Sequence, residues 1–322
     1  MQQENITAYS DIKVSIICNT YNHEKYIRKA IEGFLYQKCD FLYEVLIHDD
    51  ASTDSTQSII KEYEEKFPEI IKPIYQKQNV YSVNPQLINE IQYSRINGQY
   101  VAFCEGDDYW IDEFKLQKQV EILEARFDVD ICVHAAWIFQ NGNKIGSIAP
   151  SDFDCVFTAE DVINGKGGFV ATNSWLLRKN IIDTLPPFAK KYPLDYAYQV
   201  YASLRGGMYY LAEHMSVYNF MNNGSWSKKR KVDIEFSINE STKILDLYNL
   251  MDEYTHYQYS KTIEHMKTYY EYEIEWYKGN LGTILKKRKY RHVLSFKRKL
   301  ILIFRICLPS LYEYLWKMKN RI

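Results

Sequence analysis

The sequence predicts an α/β protein with a mostly parallel sheet, helices on both faces of that sheet, and a helical C-terminal extension. Three observations predict this fold. Short apolar runs alternate with helix-patterned segments through the first 128 residues. Polar clusters follow three of the predicted strands, at the edge where parallel sheets bind ligands. From about residue 228 the pattern becomes helical and then strongly basic.

The first half of the chain alternates between strands and helices joined by short connections. Near-continuous apolar runs are typical of strands covered on both faces, and apolar residues three and four positions apart are typical of helices. The predicted strands are 13–18, 43–48, 70–75 and 99–104. The predicted helices are 23–37, 55–67, 85–96 and 115–126. Strands connected through helices in this way form a parallel sheet with helices on both faces.

The pattern changes after Asp130. Two strands, 130–139 and 144–149, are joined by a turn at 140–143 in which Asn141-Gly142 favours a tight hairpin. Further strands are predicted over 174–177, 208–212 and 215–220, and a helix over 193–204. Residues 233–278 form a long helix-patterned region.

The composition is that of a globular protein, with 46% apolar and 25% charged residues among 322. The six cysteines form no C-x-x-C pair, which predicts small buried side chains in a reducing compartment. Residues 1–11 are polar and lack the apolar core of a signal peptide. We therefore expect a cytoplasmic protein.

Three carboxylates lie in the turn that follows the fourth predicted strand, Cys104-Glu105-Gly106-Asp107-Asp108. Such a cluster repels itself unless a cation sits in it. Oxygen ligands with no nearby His or Cys favour Mg²⁺ or Mn²⁺ over zinc. A solvated acidic turn is the alternative, and the turn alone leaves both interpretations open.

Two further polar clusters follow the first and second strands, Thr20-Tyr21-Asn22 and Asp49-Asp50. Because the carboxyl ends of parallel strands meet at one edge, all three clusters are expected to lie close together. The residues after Asp49 also include good helix N-caps, so part of this segment is expected to cap the next helix.

Three segments in this order resemble glycosyltransferase family 2, which has the Rossmann-like GT-A fold. They are 14–22, 43–54 and 105–108. The resemblance covers about residues 12–227. It implies a domain over 1–227, with a nucleotide-binding half at about 10–128 and an acceptor half at about 129–227. Residues 228–322 would form the helical extension.

The resemblance implies a nucleotide-sugar donor, commonly a UDP-sugar. Asp50 matches the acid that hydrogen-bonds the base, and a carboxylate suits the uracil N3–H because it only accepts hydrogen bonds. Thr20 and Tyr21 match positions that line the nucleoside pocket. Tyr21 in the core of the protein is the alternative.

The acidic turn matches the family's metal and diphosphate element. Asp107 matches the usual contact to metal and diphosphate. Glu105 stands where relatives have aspartate, so it is expected to contact metal, a metal-bound water or ribose. Asp108 is the neighbouring donor-binding position. Mn²⁺ or Mg²⁺ would neutralise charge that develops as the sugar departs.

An inverting transferase also needs a general base for the acceptor hydroxyl. The family places an acid at the start of a helix in the second half of the fold, and Asp195 matches it. An ordinary acid at a helix N-terminus is the alternative. Many relatives have a His where this chain has Met221, and Asn222, Asn223, Ser225 or Trp226 would replace it in part. Trp226 is a candidate for stacking on a sugar, and a buried Trp226 is the alternative.

The C-terminal segment 283–322 contains twelve Lys and Arg and one Glu, a net charge of +11, so the rest of the chain carries −12. Its apolar run 300–304 is too short to cross a bilayer. The interleaved basic and apolar residues predict association with an anionic membrane surface. Packing on the protein's own body and a homodimer contact are alternatives. Nucleic acid is disfavoured because no binding motif accompanies the charge.

The predicted function is metal-dependent, inverting transfer of a sugar to a growing cell-surface glycan such as capsule, exopolysaccharide or O-antigen. The acceptor is expected to be lipid-linked, and the enzyme peripheral at the inner face of the cell membrane. A sugar nucleotidyltransferase would need a Gly-rich loop after the first strand, which residues 19–23 lack. A non-catalytic nucleotide-binding scaffold of the same fold is the other alternative.

Overall fold

The structure is a computed structural model that describes residues 12–220, 226–290, 294 and 296–319. The chain divides into two compact units, Met1–Phe220 and Met221–Ile322. Met221, Asn222, Asn223 and Ser225, and the side chain of Trp226, lie outside the described residues. The predictions that fall on them therefore stay predictions.

A single mixed sheet organises the first unit. Its ten strands within the described residues are β1 Ile12–Thr20, β2 Leu42–Asp49, β3 Ile71–Tyr75, β4 Tyr100–Phe103, β5 Tyr109–Trp110, β6 Ile131–Gln140, β7 Asn143–Ile148, β8 Cys155–Phe157, β9 Leu176–Arg178 and β10 Met208–Asn219. The strand order is β3-β2-β1-β4-β9-β6-β10-β5, with β7 beside β6 and β8 beside β10.

Strand direction divides this sheet into two parts. The strands β1 to β4 are mutually parallel where they pair, as the alternation of strands and helices predicts. The short strand β9 then runs antiparallel to both β4 and β6, while β6 and β10 are parallel to each other. The prediction of a mostly parallel α/β sheet is confirmed.

Eight helices lie in the described part of the first unit. They are α1 Ile27–Leu35, α2 Thr56–Lys66, α3 Pro85–Tyr93, α4 Lys115–Ala125, α5 Ala159–Gly165, α6 Lys179–Asp183, α7 Pro187–Lys191 and α8 Asp195–Ser203. Local chemistry sets several starts. Asn84 caps α3 by accepting from Gln86 N, with Pro85 at the first helical position. Thr158 and Asp161 form a capping box at the start of α5.

The hairpin prediction is confirmed, and two other predictions are corrected. Asn141 and Gly142 have φ of 50° and 78°, the left-handed pair that a tight β6–β7 turn requires. The two strands expected at 208–212 and 215–220 are one strand, β10, whose register shifts around His214. The strand expected at 174–177 begins later, as β9, because Thr172–Ser174 forms a short 3₁₀ helix.

The core of the first unit lies between the sheet and its helices. Val14, Ile16, Phe34 and Leu116 are completely buried in it. All six cysteines are free, and Cys18, Cys104 and Cys132 are buried as expected. Cys307 is exposed, contrary to that expectation.

The second unit is helical, as predicted. Its described helices are α9 Trp226–Val232, α10 Ile234–Tyr254, α11 Ser260–Tyr277, α12 Leu281–Lys286, α13 Phe296–Cys307 and α14 Pro309–Lys319. The long helix-patterned region 233–278 is two helices, separated where His256 and Tyr257 have φ of 50° and 63°. No described helix has the length and apolarity needed to cross a membrane.

Candidate active site

The ends of β1 and β2 form one edge of the candidate site. Asp50 N donates to Thr20 O at 2.9 Å, which joins the two strand ends. Just beyond them, Asn22 and Ala51 have positive φ values of 55° and 63°. Non-glycine residues in this region store about 1–3 kcal/mol of strain and persist where other contacts hold them. Asn22 is held because its side chain accepts from Thr53 N at 2.8 Å.

Asp50 lies at this edge and is only 3% exposed. Its Oδ1 accepts from Val80 N at 2.7 Å and its Oδ2 from Tyr81 N at 3.0 Å. The carboxylate therefore fixes the loop that follows β3. Since an ionised carboxylate has about four acceptor positions, these two bonds leave acceptor capacity for a ligand.

The acidic turn packs directly against the end of β1. Gly106 N donates to Asn19 O at 2.9 Å. A Cβ atom at Gly106 would lie 2.6 Å from Thr20 Oγ1, so this close approach requires glycine. Thr20 Oγ1 and His23 Nδ1 are buried beside the turn with no protein partner among the described residues. Unpaired buried polar atoms are typical of sites that bind a polar ligand.

Asp108 lies on the inner side of the turn and is 4% exposed. Its Oδ1 accepts from Asn219 N at 2.8 Å, and its Oδ2 accepts from Asn173 Nδ2 at 2.9 Å. Burial, followed by the charge of Asp107, raises the pKa of Asp108 well above its ordinary value. These contacts connect the turn to β10 and to the 3₁₀ helix. Both oxygens of Asp108 therefore have structural partners.

Glu105 and Asp195 are far apart in the sequence, but both line the same cavity of about 60 Å³. Asp195 is the first residue of α8, and Thr172 Oγ1 donates to its Oδ2 at 2.5 Å. Many atoms surround its carboxyl group, yet the residue stays accessible to solvent because it lines an open cavity. The other lining residues are Ile17, Asn19, Asn89, Tyr93, Phe103, Thr172, Trp175, Pro193 and Tyr198.

The two acids of the cavity affect each other electrostatically. Burial, followed by the charges of Asp195 and then Asp107, raises the pKa of Glu105 to about 8. The Asn19 amide, 3.5 Å from Glu105 Oε1, opposes it. Burial also raises the pKa of Asp195, against the hydrogen bond from Thr172. The cavity thus concentrates carboxyl groups whose mutual repulsion favours protonation of one of them or a nearby cation.

Sequence reasoning missed most of the residues that complete this cavity. Thr172 positions Asp195, and Asn89, Tyr93 and Tyr198 supply polar side chains from α3 and α8. Trp175 is 2% exposed, and its indole N–H has no partner among the described residues. Asn89 and Tyr93 lie in a segment with ordinary helical periodicity, which carries no sign of a site.

The remaining predicted residues lie outside the cavity lining. Thr20 is buried at the end of β1, whereas Tyr21 is 43% exposed, so the alternative of a core position for Tyr21 is wrong. Asp107 is half-buried, and its backbone carbonyl accepts from Asn219 Nδ2 at 2.5 Å. The structure therefore brings the three strand-end clusters to one edge, with Glu105 facing the cavity.

Comparison with known protein families identifies the chain. A model of the family described as "Glycosyl transferase family 2" matches residues 15–185, more than half of the sequence. The chain belongs to glycosyl transferase family 2. The matched region contains all three strand-end clusters, of which the acidic turn is the third, but ends before Asp195.

Two curated relatives illustrate the range of similarity. An uncharacterized protein of Mycobacterium tuberculosis is 35% identical over 215 residues, covering 66% of this chain and 60% of its own length. TuaG of Bacillus subtilis, which is named as a teichuronic acid biosynthesis glycosyltransferase, is 35% identical over 113 residues. That match covers 35% of this chain and 42% of TuaG. The chain thus spans about 60% of the length of the mycobacterial relative.

Solved structures share the fold at low sequence identity. Residues 1–349 of Staphylococcus aureus TarS, in complex with UDP-GlcNAc, have a TM-score of 0.56 at 17% identity, with 92% of this chain and 88% of that fragment covered. A mannosyltransferase of Pyrobaculum calidifontis, in complex with GDP-Man and Mn²⁺, has a TM-score of 0.54 at 14% identity. The match covers 95% of this chain and 83% of the mannosyltransferase chain. These likenesses confirm the GT-A type of α/β fold.

Proposed function

We propose that this protein is an inverting, metal-dependent glycosyltransferase that moves a sugar from a UDP-sugar to a growing cell-surface glycan. The observation that carries the proposal is the cavity that Glu105 and Asp195 share at the carboxyl edge of the sheet. In this proposal residues 10–128 form the nucleotide-binding half. Residues 129–227, which contain Thr172 and Asp195, form the acceptor half.

The donor nucleotide is assigned to the edge formed by β1 and β2. Asp50 supplies an acceptor for the base, and its bonds to Val80 and Tyr81 hold the carboxylate in place. Thr20 and Tyr21 lie beside it at the end of β1. TarS in complex with UDP-GlcNAc has the same fold, which supports a nucleotide-sugar donor, and uridine is the base that the family resemblance favours.

A divalent cation fits the charge of the acidic turn. The described residues contain no group of three or more His, Cys, Asp and Glu side chains placed to hold a metal on their own. Asp107 and Glu105 would hold Mn²⁺ or Mg²⁺ together with the donor diphosphate. The raised pKa of Glu105 supports this assignment, because crowded carboxylates favour a bound cation. The cation would neutralise charge on the departing diphosphate.

Asp195 is assigned as the general base. The Thr172 hydroxyl occupies Oδ2, which orients the carboxylate and leaves Oδ1 to accept the proton of the acceptor hydroxyl. As that oxygen bonds to C1 of the sugar, the bond from C1 to the diphosphate oxygen breaks, and the proton goes to Asp195. A raised pKa makes the carboxylate a stronger base than an aspartate with the ordinary pKa.

The acceptor is proposed to be a lipid-linked glycan assembled at the inner face of the cell membrane. TuaG, whose name places it in teichuronic acid biosynthesis, supports a cell-surface polysaccharide as the product class. Capsule, exopolysaccharide and O-antigen are the candidates.

Calorimetric titration of UDP into the purified protein tests the donor site. We expect micromolar binding, about −8 kcal/mol, in Mn²⁺ and a large loss of affinity in EDTA. GDP is titrated as the comparison nucleotide. The variant Asp50→Asn should reduce the preference of the protein for UDP over GDP. A protein that binds neither nucleotide in either condition contradicts the proposal. Binding without hydrolysis or transfer of any UDP-sugar would support a non-catalytic scaffold.

A further inference from the structure

The orientation of α13 is fixed by contacts on one of its faces. Leu302 is 4% exposed and joins a small apolar core. Arg305 Nη1 donates to Trp276 O at 3.1 Å, and Arg298 lies 3.7 Å from a carboxylate oxygen of Glu273. Residues 298, 302 and 305 share one face at about 100° per residue. That face therefore packs on the second unit itself.

The opposite face of α13 is apolar and exposed. Phe296 is 77% exposed, Leu300 51% and Ile303 54%, and Cys307 is also exposed. Their spacing of four, three and four residues keeps them on one stripe, on the side of the helix that faces away from Leu302. Helix α14 adds exposed apolar side chains at helical spacing, which are Leu311, Tyr314, Leu315 and Met318. Contiguous exposed apolar surface of this kind marks an interaction site.

Positive charge accompanies this apolar stripe of α13. Lys297 and Lys299 are exposed and lie about 90° to either side of it along the helix surface. Long lysine side chains in such positions reach toward phosphate groups while their neighbours enter an apolar layer. The segment 283–322 carries +11 and the remainder −12. A second copy of the segment would bring like charge to the same face, which disfavours a dimer there.

We propose that the apolar stripe Phe296, Leu300, Ile303 and Cys307 binds the surface of an anionic lipid bilayer, with α13 lying in the plane of the interface. A 12-residue helix is about 18 Å long and cannot cross a hydrocarbon core of about 30 Å. Binding would combine apolar insertion with attraction of Lys297 and Lys299 to lipid phosphates. This inference is independent of the proposed transferase chemistry.

Vesicle sedimentation of the full-length protein tests the proposal. We expect binding to vesicles that contain phosphatidylglycerol, weak binding to phosphatidylcholine alone, and loss of binding in high salt. The double variant Leu300→Ser/Ile303→Ser should lower the partition coefficient by about tenfold or more, because less apolar area enters the bilayer. The double variant Lys297→Gln/Lys299→Gln should lower the partition coefficient less and make vesicle binding less sensitive to salt.

Phe127→Ser is the matched control, because Phe127 is 75% exposed on the first unit. It should bind vesicles as the unchanged protein does. Circular dichroism verifies that each variant is folded, as expected for exposed positions. Equal binding by the control and the Leu300/Ile303 variant overturns the proposal, as does failure of the unchanged protein to bind anionic vesicles. Sedimentation velocity showing a dimer that this variant dissociates would assign the stripe to a homodimer contact instead.

Discussion

The two parts of the sheet hold their candidate site residues in different ways. In the parallel part, from β1 to β4, backbone hydrogen bonds between strand ends place Thr20, Asp50 and Gly106. In the part from β6 to β10, hydrogen bonds from side chains contribute to this positioning, such as those from Thr172 to Asp195 and from Asn173 to Asp108. Topology therefore positions the first group, whereas particular side chains position the second.

Changes to Asp195 should have the largest effect and test the catalytic assignment in the second part. Asp195→Asn keeps the shape and the bond from Thr172 but removes the basic oxygen. We expect sugar transfer to fall by about 10³-fold, within the range for general bases, with UDP affinity unchanged. Thr172→Val should lower the rate of sugar transfer about tenfold, because it removes only the hydrogen bond that orients Asp195.

Initial rates of UDP release, with and without acceptor, measure this effect. The exposed Asp183 on α6 provides the matched control, and Asp183→Asn should behave as the unchanged enzyme. An Asp195→Asn enzyme within tenfold of normal turnover would remove Asp195 from the mechanism.

Asp107 tests the parallel part, where a change should affect ligand binding and not stability. Asp107→Asn should weaken Mn²⁺-dependent UDP binding by about 100-fold, or ~3 kcal/mol, because a charged cation ligand is lost. The difference between Mn²⁺ and EDTA should then nearly disappear. Calorimetry measures the UDP affinity and its dependence on Mn²⁺. Asp40→Asn, at an exposed position, is the control. Unchanged metal dependence would contradict the assignment.

Asp108 should behave in the opposite way, although it is the next residue. Asp108→Ala leaves the Asn219 N–H without its acceptor in a buried place and removes one of the two acceptors of the Asn173 amide, which still donates to Val217 O. We expect about 2 kcal/mol lower free energy of unfolding. The free energy of unfolding should fall less in Asp108→Asn, because the amide carbonyl can still accept from Asn219 N. Urea unfolding checks this order; normal stability with weak UDP binding would instead mean that Asp108 contacts the donor.

The same contrast explains what the sequence could predict. The strands β1 to β4 and the helices α1 to α4 follow from apolar periodicity, and the polar strand ends indicate the edge of the site. The two-residue strand β5 was not predicted. The short elements β8, β9 and α5 to α7 have three to seven residues, too few to show a period. The antiparallel insertion of β9 between β4 and β6 depends on long-range packing, which local sequence does not report.

At the site, residues in strand-end motifs were predictable and their partners were not. Glu105, Asp107 and Asp50 lie in recognisable segments. Asp195 was predicted only through the family resemblance, and its proximity to Glu105 depends on how α8 packs. Thr172 and Trp175 are brought to the cavity from the 3₁₀ helix and its C-terminal end, so no local pattern distinguishes them from core residues.

Glu105 connects the two parts, since it belongs to the acidic turn and faces Asp195. Its pKa of about 8 in the folded protein lies well above the value of about 4.3 expected for the unfolded chain. At pH values between these two pKa values, Glu105 is protonated in the folded protein and ionised in the unfolded chain. The free energy of unfolding should therefore decrease as pH rises from about 4.5 to 8. Because Glu105 is only half-buried, solvent screens its charge, so we expect this contribution to be about 1–2 kcal/mol.

Urea unfolding at several pH values, compared between the unchanged protein and Glu105→Gln, isolates this contribution. The variant cannot ionise at this position, so its stability should fall less over the same range. Adding Mn²⁺ and UDP should flatten the curve of the unchanged protein, because a cation beside Glu105 favours its ionised form. Parallel curves for the two proteins without ligand would show that Glu105 is ionised at neutral pH. The negative charge shared across the two parts of the sheet would then have to be compensated elsewhere in the cavity.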